Sequence, residues 1–355
     1  MEKRWVENNH SDKTAIDRLA GELNVNAVVA SLLIKRGIHT FDQARDFFRP
    51  SILHLHDPFL MKDMELAINR INKAITHNER ILIYGDYDVD GTTSVALTYT
   101  FFKTQYDHLD FYIPDRYKEG YGISTAGIDF AKEHGFSLII ALDCGIKAND
   151  KVAYANSLGI DFIICDHHLP GDTVPAAIAV LDPKQKDCDY PYDELSGCGI
   201  GFKLVQAYCQ FHQIDMDTIL PLLDLVAVSI ASDIVPLTGE NRTLAYFGLQ
   251  QLNSNPRPGF KALMNIAATK TDLSINEIVF AIGPRINAAG RIDDAKHAVN
   301  LLIAKDEQSA FDFCEIVDSK NTERREFDLS ITLSALQLIE ENFDLHQKKS
   351  TVLFD

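Results

Sequence analysis

Between residues 85 and 93 the chain reads Gly85-Asp86-Tyr87-Asp88-Val89-Asp90-Gly91-Thr92-Thr93, with three carboxylates at alternate positions. Crowded carboxylates raise one another's pKa and cost free energy unless a cation sits among them, so the pattern points to a metal. The other reading is an acidic turn capping the next helix, because Asp and Thr favour N-caps and the helix dipole favours anions. An EF-hand loop shares the opening but needs a glutamate at its twelfth position, where this chain has Leu97. Asp143 ends a second apolar run and is followed by Cys144-Gly145, an arrangement that a plain strand-end turn also explains. Cys165-Asp166-His167-His168 ends a third. Adjacent histidines at a strand end seldom arise from packing, and neutral imidazole is a common transition-metal ligand. Cys165 reads as the last buried residue of that strand rather than a ligand. Asp233, in Ala231-Ser232-Asp233-Ile234-Val235-Pro236, closes an apolar helical stretch and would alone be a helix-terminal turn residue.

Taken together, Asp88, Asp90, Asp143, His167 and Asp233 supply mixed carboxylate and imidazole ligands, enough for two divalent ions with open positions. That mixture suits manganese first, with magnesium admitted, better than an all-oxygen calcium site or a thiolate zinc site. Two ions roughly 3.5 to 4 Å apart suit phosphoester hydrolysis.

The elements that would position these groups follow from the hydrophobic pattern. Short apolar runs at 81–86, 109–113, 137–143, 161–166 and 176–182 alternate with helical patterns. This predicts an α/β fold, a parallel β-sheet with helices on both faces and ligands at the carboxyl ends of the strands. Ahead of it, 12–48 reads as two amphipathic helices closed by Arg49-Pro50, and a further helix is predicted at about 61–78. Residues 199–210 and 217–231 read as helices, 234–291 as a mixed segment with a loop at Asn255-Pro256-Arg257-Pro258-Gly259, and about 295–342 as helical. Gly197, Gly199 and Gly201 resemble a dinucleotide loop but do not follow the first strand, so a packing turn is preferred.

The chain has 355 residues, enough for about two domains, and its ordinary composition excludes collagen-like, disordered and mucin-like classes. Lys plus Arg is 34 against 51 for Asp plus Glu, a formal charge of −17 that argues against strong non-specific nucleic-acid affinity through bulk charge. Six cysteines without a CxxC pair suggest a reducing cytosol, and no apolar run approaches the roughly 20 residues of a membrane span. A cytoplasmic protein is expected.

The order Asp86-Tyr-Asp-Val-Asp-Gly, Asp143-Cys-Gly, Asp166-His167-His168 and Asp233 resembles the DHH phosphoesterase superfamily. Pro114-Asp-Arg-Tyr-Lys-Glu-Gly-Tyr-Gly122, Gly197-Cys-Gly-Ile-Gly-Phe-Lys203 and Gly283-Pro-Arg-Ile-Asn-Ala-Ala-Gly-Arg291 narrow the resemblance to its RecJ-type exonucleases, over about residues 50 to 330. The resemblance implies a metal-dependent enzyme that hydrolyses single-stranded DNA 5′-to-3′ to mononucleotides in repair and recombination. The alternatives are a DHH-type oligonucleotide or cyclic-dinucleotide phosphodiesterase or pyrophosphatase, and, behind these, a non-catalytic replication scaffold. It further implies that Asp88 and Asp143 hold one ion and that Asp90, Asp143, His167 and Asp233 hold the other, Asp143 bridging. Asp86 and Asp166 would orient the ligands, and His168 would face the scissile phosphate as a catalytic group beside Asp143. Many superfamily members have a histidine at the position of Tyr84, so here the first ion would lean on water. Arg285, Asn287 and Arg291 would contact phosphate, with Ala288-Ala289-Gly290 allowing a tight backbone approach, and Tyr117, Tyr121 and Lys118 could touch DNA. The implied organisation is an N-terminal helical segment (1–50), a DHH catalytic domain (51–294), a connecting helical segment (295–346) and the start of a truncated C-terminal domain (347–355). Single-stranded DNA is the expected partner, with a helicase and a single-strand-binding protein as candidates and no membrane.

Overall fold

The computed structural model describes residue 4 and residues 12–268, 272–292 and 295–341. The expected C-terminal domain start at 347–355 lies outside them. The chain divides into two units, Met1–Leu55 and His56–Asp355.

In the first unit the 12–48 pattern forms three helices rather than two: α1 (Lys13–Leu23), α2 (Ala27–Ile34) and α3 (Phe41–Phe48). Asn24 closes α1 in the left-handed region at φ 53°, and the Asn26 side chain caps α2 by accepting from Val29 N. Asparagine tolerates both tasks, so the apolar pattern is cut where its periodicity alone runs on. Leu19, Ala30, Leu33, Ile38 and Ala44 form this unit's core.

The second unit opens with α4 (Met64–Thr76) and continues β1 (Arg80–Gly85), α5 (Val89–Gln105), β2 (Leu109–Tyr112), α6 (Thr125–Glu133), β3 (Phe136–Leu142), α7 (Asn149–Ser157), β4 (Asp161–Cys165) and β5 (Ala179–Leu181). The strands pair in the order β2-β1-β3-β4-β5, all parallel. Successive residues of a strand point to opposite faces, and here both faces are covered, which is why the strands are apolar almost throughout. Leu82, Tyr84, Ile139, Ala141, Phe162 and Ile164 pack with Ile128 of α6 and Val152 and Ala155 of α7. Ile81, Ile83, Leu138, Ile140 and Ile163 are buried on the other face, where α5 and α8 (Gly197–His212) lie. From β1 the chain steps outward to β2, then returns past β1 to β3. Strand order therefore reverses between β1 and β3, and such a switch point opens a crevice at the carboxyl ends of the strands.

Helices follow: α9 (Leu223–Asp233), α10 (Gly239–Ser254), α11 (Pro258–Ile266), α12 (Ile275–Glu277), α13 (Gly283–Ile292), α14 (Lys296–Ile303) and α15 (Glu307–Glu341). Two expectations are corrected. The helix expected over 217–231 is α-helical only from Leu223, because Pro221 confines the preceding residues to two short 3₁₀ turns. The mixed segment 234–291 is mainly helical. Pro258 occupies the first turn of α11, where its missing N–H costs nothing, and a π-helical turn, Ile278–Ile282, joins α12 to α13. The small residues of 283–291 belong to α13. A Cβ on Gly290 would lie 2.3 Å from the Tyr87 carbonyl, so the expected tight backbone approach is made between α13 and the acidic loop after β1. The 35 residues of α15 extend about 50 Å. Among the described residues no helix is long and apolar enough to cross a membrane.

Candidate metal centre

The loops after β1, β3 and β4, the first turn of α8 and the last residue of α9 meet at the switch point. Asp88 is the N-cap of α5, its Oδ1 accepting from Gly91 N at 2.9 Å, so the capping role and a place in the acidic cluster are held by one side chain. Asp90, in the first turn of α5, is buried and accepts from Gly197 N (2.7 Å), Cys198 N (2.8 Å) and Ser229 Oγ (2.7 Å). Asp143 leaves β3 in the left-handed region, φ 59°, with its N–H donated to the Cys165 carbonyl at 2.8 Å. That turn aims its carboxylate inward, where Oδ1 receives no hydrogen bond. Asp166 Oδ1 accepts from the backbone N–H of His167 and His168 and stands 2.7 Å from His168 Nδ1, while Oδ2 accepts from Ile146 N.

These turns bring the expected ligands together. His167 Nε2 lies 3.1 Å from Asp143 Oδ1, 3.6 Å from Asp233 Oδ2 and 3.7 Å from Asp90 Oδ2. Asp88 and Asp143 oppose each other across the same space. Donor atoms about 2.1 Å from a small divalent ion stand roughly 3 to 3.5 Å apart, so the spacing fits a cation. Two overlapping sets could hold one: Asp90, His167 and Asp233, and Asp143, His167 and His168. The second set differs from the expectation by including His168.

The electrostatics agree with the geometry. Burial first, then the charges of Asp90 and Asp88, push the Asp143 carboxyl well above its ordinary value. Burial and Asp90 raise Asp88; burial and the neighbouring aspartates raise Asp233 to about 7, and burial and Asp88 raise Asp86 to about 7. Burial lowers His167 despite Asp90, so its neutral ring keeps one nitrogen lone pair, and neither nitrogen finds a hydrogen-bond partner. Lone pairs of nitrogen and oxygen turned toward one another require protons or a cation between them. His168 behaves oppositely. Its hydrogen bond to Asp166 raises it, and, against the cost of burial, the same contact holds Asp166 below the usual carboxylate range. With its side chain 44% exposed, His168 is the imidazole a ligand in the crevice meets first.

The remaining expected residues divide. Tyr84, where a histidine would have been a ligand, is wholly buried, donates to the Gly122 carbonyl and accepts from Ser124 N. Burial raises its phenol, which therefore stays neutral. Arg285 is spent on Asp318 (2.8 Å) and the Ala281 carbonyl (2.7 Å), which ties α13 to α15 rather than offering a free fork. Asn287 lines a cavity beside the centre, and the side chain of Arg291 lies outside the described residues. Tyr121 stands edge-on to His168, ring centroids 6.4 Å apart, whereas Tyr117 is exposed and Lys118 pairs with Asp115. Cys165 is buried at the end of β4, as expected.

Sequence reasoning missed the groups that hold Asp90. Ser229, which supports Asp90, also bonds Ser196 at 2.6 Å, and Gly197 does more than pack: a Cβ there would lie 2.6 Å from the Asp143 side chain. The visible signal was a serine cap before three small residues, which marks a helix start able to receive an anion. Asp182, buried at the end of β5 and raised by burial to about 7, was seen only as a strand end.

Against known proteins, the model of the DHH family, N-terminal domain, matches residues 80–230. The single-stranded-DNA-specific exonuclease RecJ of Bacillus subtilis (strain 168) is 40% identical over 341 residues, covering 95% of this chain and 42% of that protein. RecJ of Escherichia coli (strain K12) is 36% identical over 293 residues, covering 79% of this chain and 51% of that protein. The chain thus spans about half the length of these relatives. Among solved structures, exonuclease RecJ bound to manganese superposes with a TM-score of 0.72 at 28% identity, over 78% of this chain and 70% of that one. RecJ of Thermus thermophilus in complex with Mn2+ gives 0.79 at 25% identity, over 92% and 46%.

Proposed function

The chain belongs to the DHH family, and from that premise we propose that it is the catalytic core of a manganese-dependent exonuclease. It removes mononucleotides from the 5′ end of single-stranded DNA, in the cytoplasm, during repair and recombination. The observation that carries this reading is His167 Nε2 set 3.1 to 3.7 Å from three carboxylates. Relatives named as single-stranded-DNA-specific exonucleases, and a similar RecJ structure bound to manganese, support the reaction class. Residues 51–294 form the catalytic domain, and 295–346 are a helical segment that follows it. A helicase and a single-strand-binding protein are its candidate partners.

Asp88 and Asp143 would hold one cation, and Asp90, Asp143, His167 and Asp233 the other. When bound, the pair supplies an activated water and neutralises charge on the phosphate oxygens. The protein's own part is positional. The backbone N–H groups of Gly197 and Cys198, with the Ser229 hydroxyl, fix both oxygens of Asp90. Asp166 fixes the His168 ring through Nδ1, leaving Nε2 toward the crevice, where the raised imidazolium holds a proton for the leaving oxygen. Asn287 and Arg291 contact phosphate, and Arg285 keeps α13 on α15.

The test compares wild type with Asp143→Ala on 5′-labelled and 3′-labelled single strands, with manganese and with chelator. Wild type should release labelled mononucleotide from the 5′-labelled strand first and only with manganese, and the variant should lose about a hundredfold or more. Undiminished turnover in Asp143→Ala would refute the assignment. Preference for a dinucleotide over a long strand would favour the small-substrate phosphodiesterase reading.

A further inference from the structure

Arg324, in the middle of α15, projects over a cavity of 190 Å³ that Val89, Ser232, Gly283, Pro284 and Asn287 also line. Val89 stands between Asp88 and Asp90, and Ser232 directly precedes Asp233, so the cavity adjoins the acidic centre. None of Asp143, His167 and His168 lines it. Two buried polar atoms here have no protein partner: Arg324 Nε and Ser232 Oγ. By contrast, Arg70, Arg257 and Arg285 each meet a carboxylate. A guanidinium N–H withdrawn from water calls for an acceptor, and the neighbouring hydroxyl can also donate. A Cβ on Gly283 would come 2.8 Å from Ser232 Oγ and would fill the cradle that the glycine leaves open.

Resting on the nuclease reading above, we propose that Arg324 and Ser232 form a subsite for a phosphate of the bound strand next to the one being cleaved. The donors match the oxygens of an anion, and a guanidinium fork fits phosphate geometry. Position matches too. A chain of −17, with a carboxylate cluster at its centre, repels a phosphate backbone, and a fixed positive charge beside that cluster offsets the repulsion where the strand must lie.

The test is equilibrium binding of a 3′-labelled oligothymidylate in chelator, where the probe survives, over a series of salt concentrations. Arg324→Gln should weaken binding about tenfold and lower the salt slope by about 0.7, the loss of one phosphate contact on a single strand. Arg324→Lys should keep the slope and recover part of the affinity, and Ser232→Ala should lose less than Arg324→Gln. Unchanged affinity and slope in Arg324→Gln overturn the subsite, as does equal weakening by Gln and Lys with the wild-type slope, which would mark a packing role. Inorganic phosphate is a second probe: if Arg324→Gln abolishes its binding but leaves strand binding untouched, the cavity takes free phosphate and the proposal falls. If wild type degrades the strand with manganese while Arg324→Gln binds like wild type, the subsite alone is lost. If wild type neither binds nor degrades it, the nuclease reading falls with it.

Discussion

His167 and its carboxylate neighbours are groups whose protonation states oppose one another until something positive joins them. Burial and mutual charge raise Asp143 and Asp88, and bring Asp86 and Asp233 to about 7. A carboxyl raised on folding binds more protons folded than unfolded. Its stabilisation is therefore complete below the unfolded value, near pH 4, and is lost as pH rises through about 7. In chelator the melting temperature should fall across that window through these groups. Manganese replaces the protons, so the increase in melting temperature it produces should grow from pH 5 to pH 8, and a pH-independent increase would contradict the account. His168 makes a separate prediction. If it acts on the phosphate rather than as a ligand, His168→Gln should lower kcat by about 10² to 10³ and leave manganese affinity, measured by calorimetry, unchanged. Loss of affinity would assign it instead to the set with Asp143 and His167. The acidic and imidazole residues were legible because residue type and strand-end position both mark them. Their supports were not: Gly197 and Ser229 lie 107 and 139 residues from Asp90, and no local pattern shows that separation.

The start of α8 and the body of α13 are what turn a set of strand ends into a site. The two free N–H groups at the start of α8 receive Asp90, and the dipole of that helix favours the negative charge they hold. Gly197 is required because Asp143 occupies the space of a side chain, so Gly197→Ala should displace Asp143 and lower manganese affinity about 10- to 100-fold with little change in helix content. Manganese titration followed by calorimetry, with circular dichroism on the same sample, checks this; wild-type affinity would show that the contact gives way without cost. The five strands were read from apolar runs because a sheet covered on both faces leaves no other pattern. Helix limits were less legible. Asn24 and Asn26 divide one apolar stretch, Pro221 delays α9, and the partner of the tight approach at Ala288-Ala289-Gly290 becomes visible only when Tyr87 is beside Gly290.

For the whole molecule, charge is the deciding quantity. Two divalent ions return four units to a chain of −17, so most of the repulsion toward a polyanion remains. This chain should therefore bind long single strands weakly, with affinity falling steeply as salt rises, and tight binding at high salt in a fluorescence titration would be inconsistent with the account. The switch-point sheet and the start of α8 serve one arrangement, in which side chains from four separate segments, Asp90 among them held by α8, face one another at spacings that suit cations. Anomalous diffraction from crystals soaked in manganese measures that arrangement directly. Two peaks are predicted, one between Asp88 and Asp143 and the other among Asp90, Asp143, His167 and Asp233. Peaks elsewhere, or none at these side chains, would contradict it.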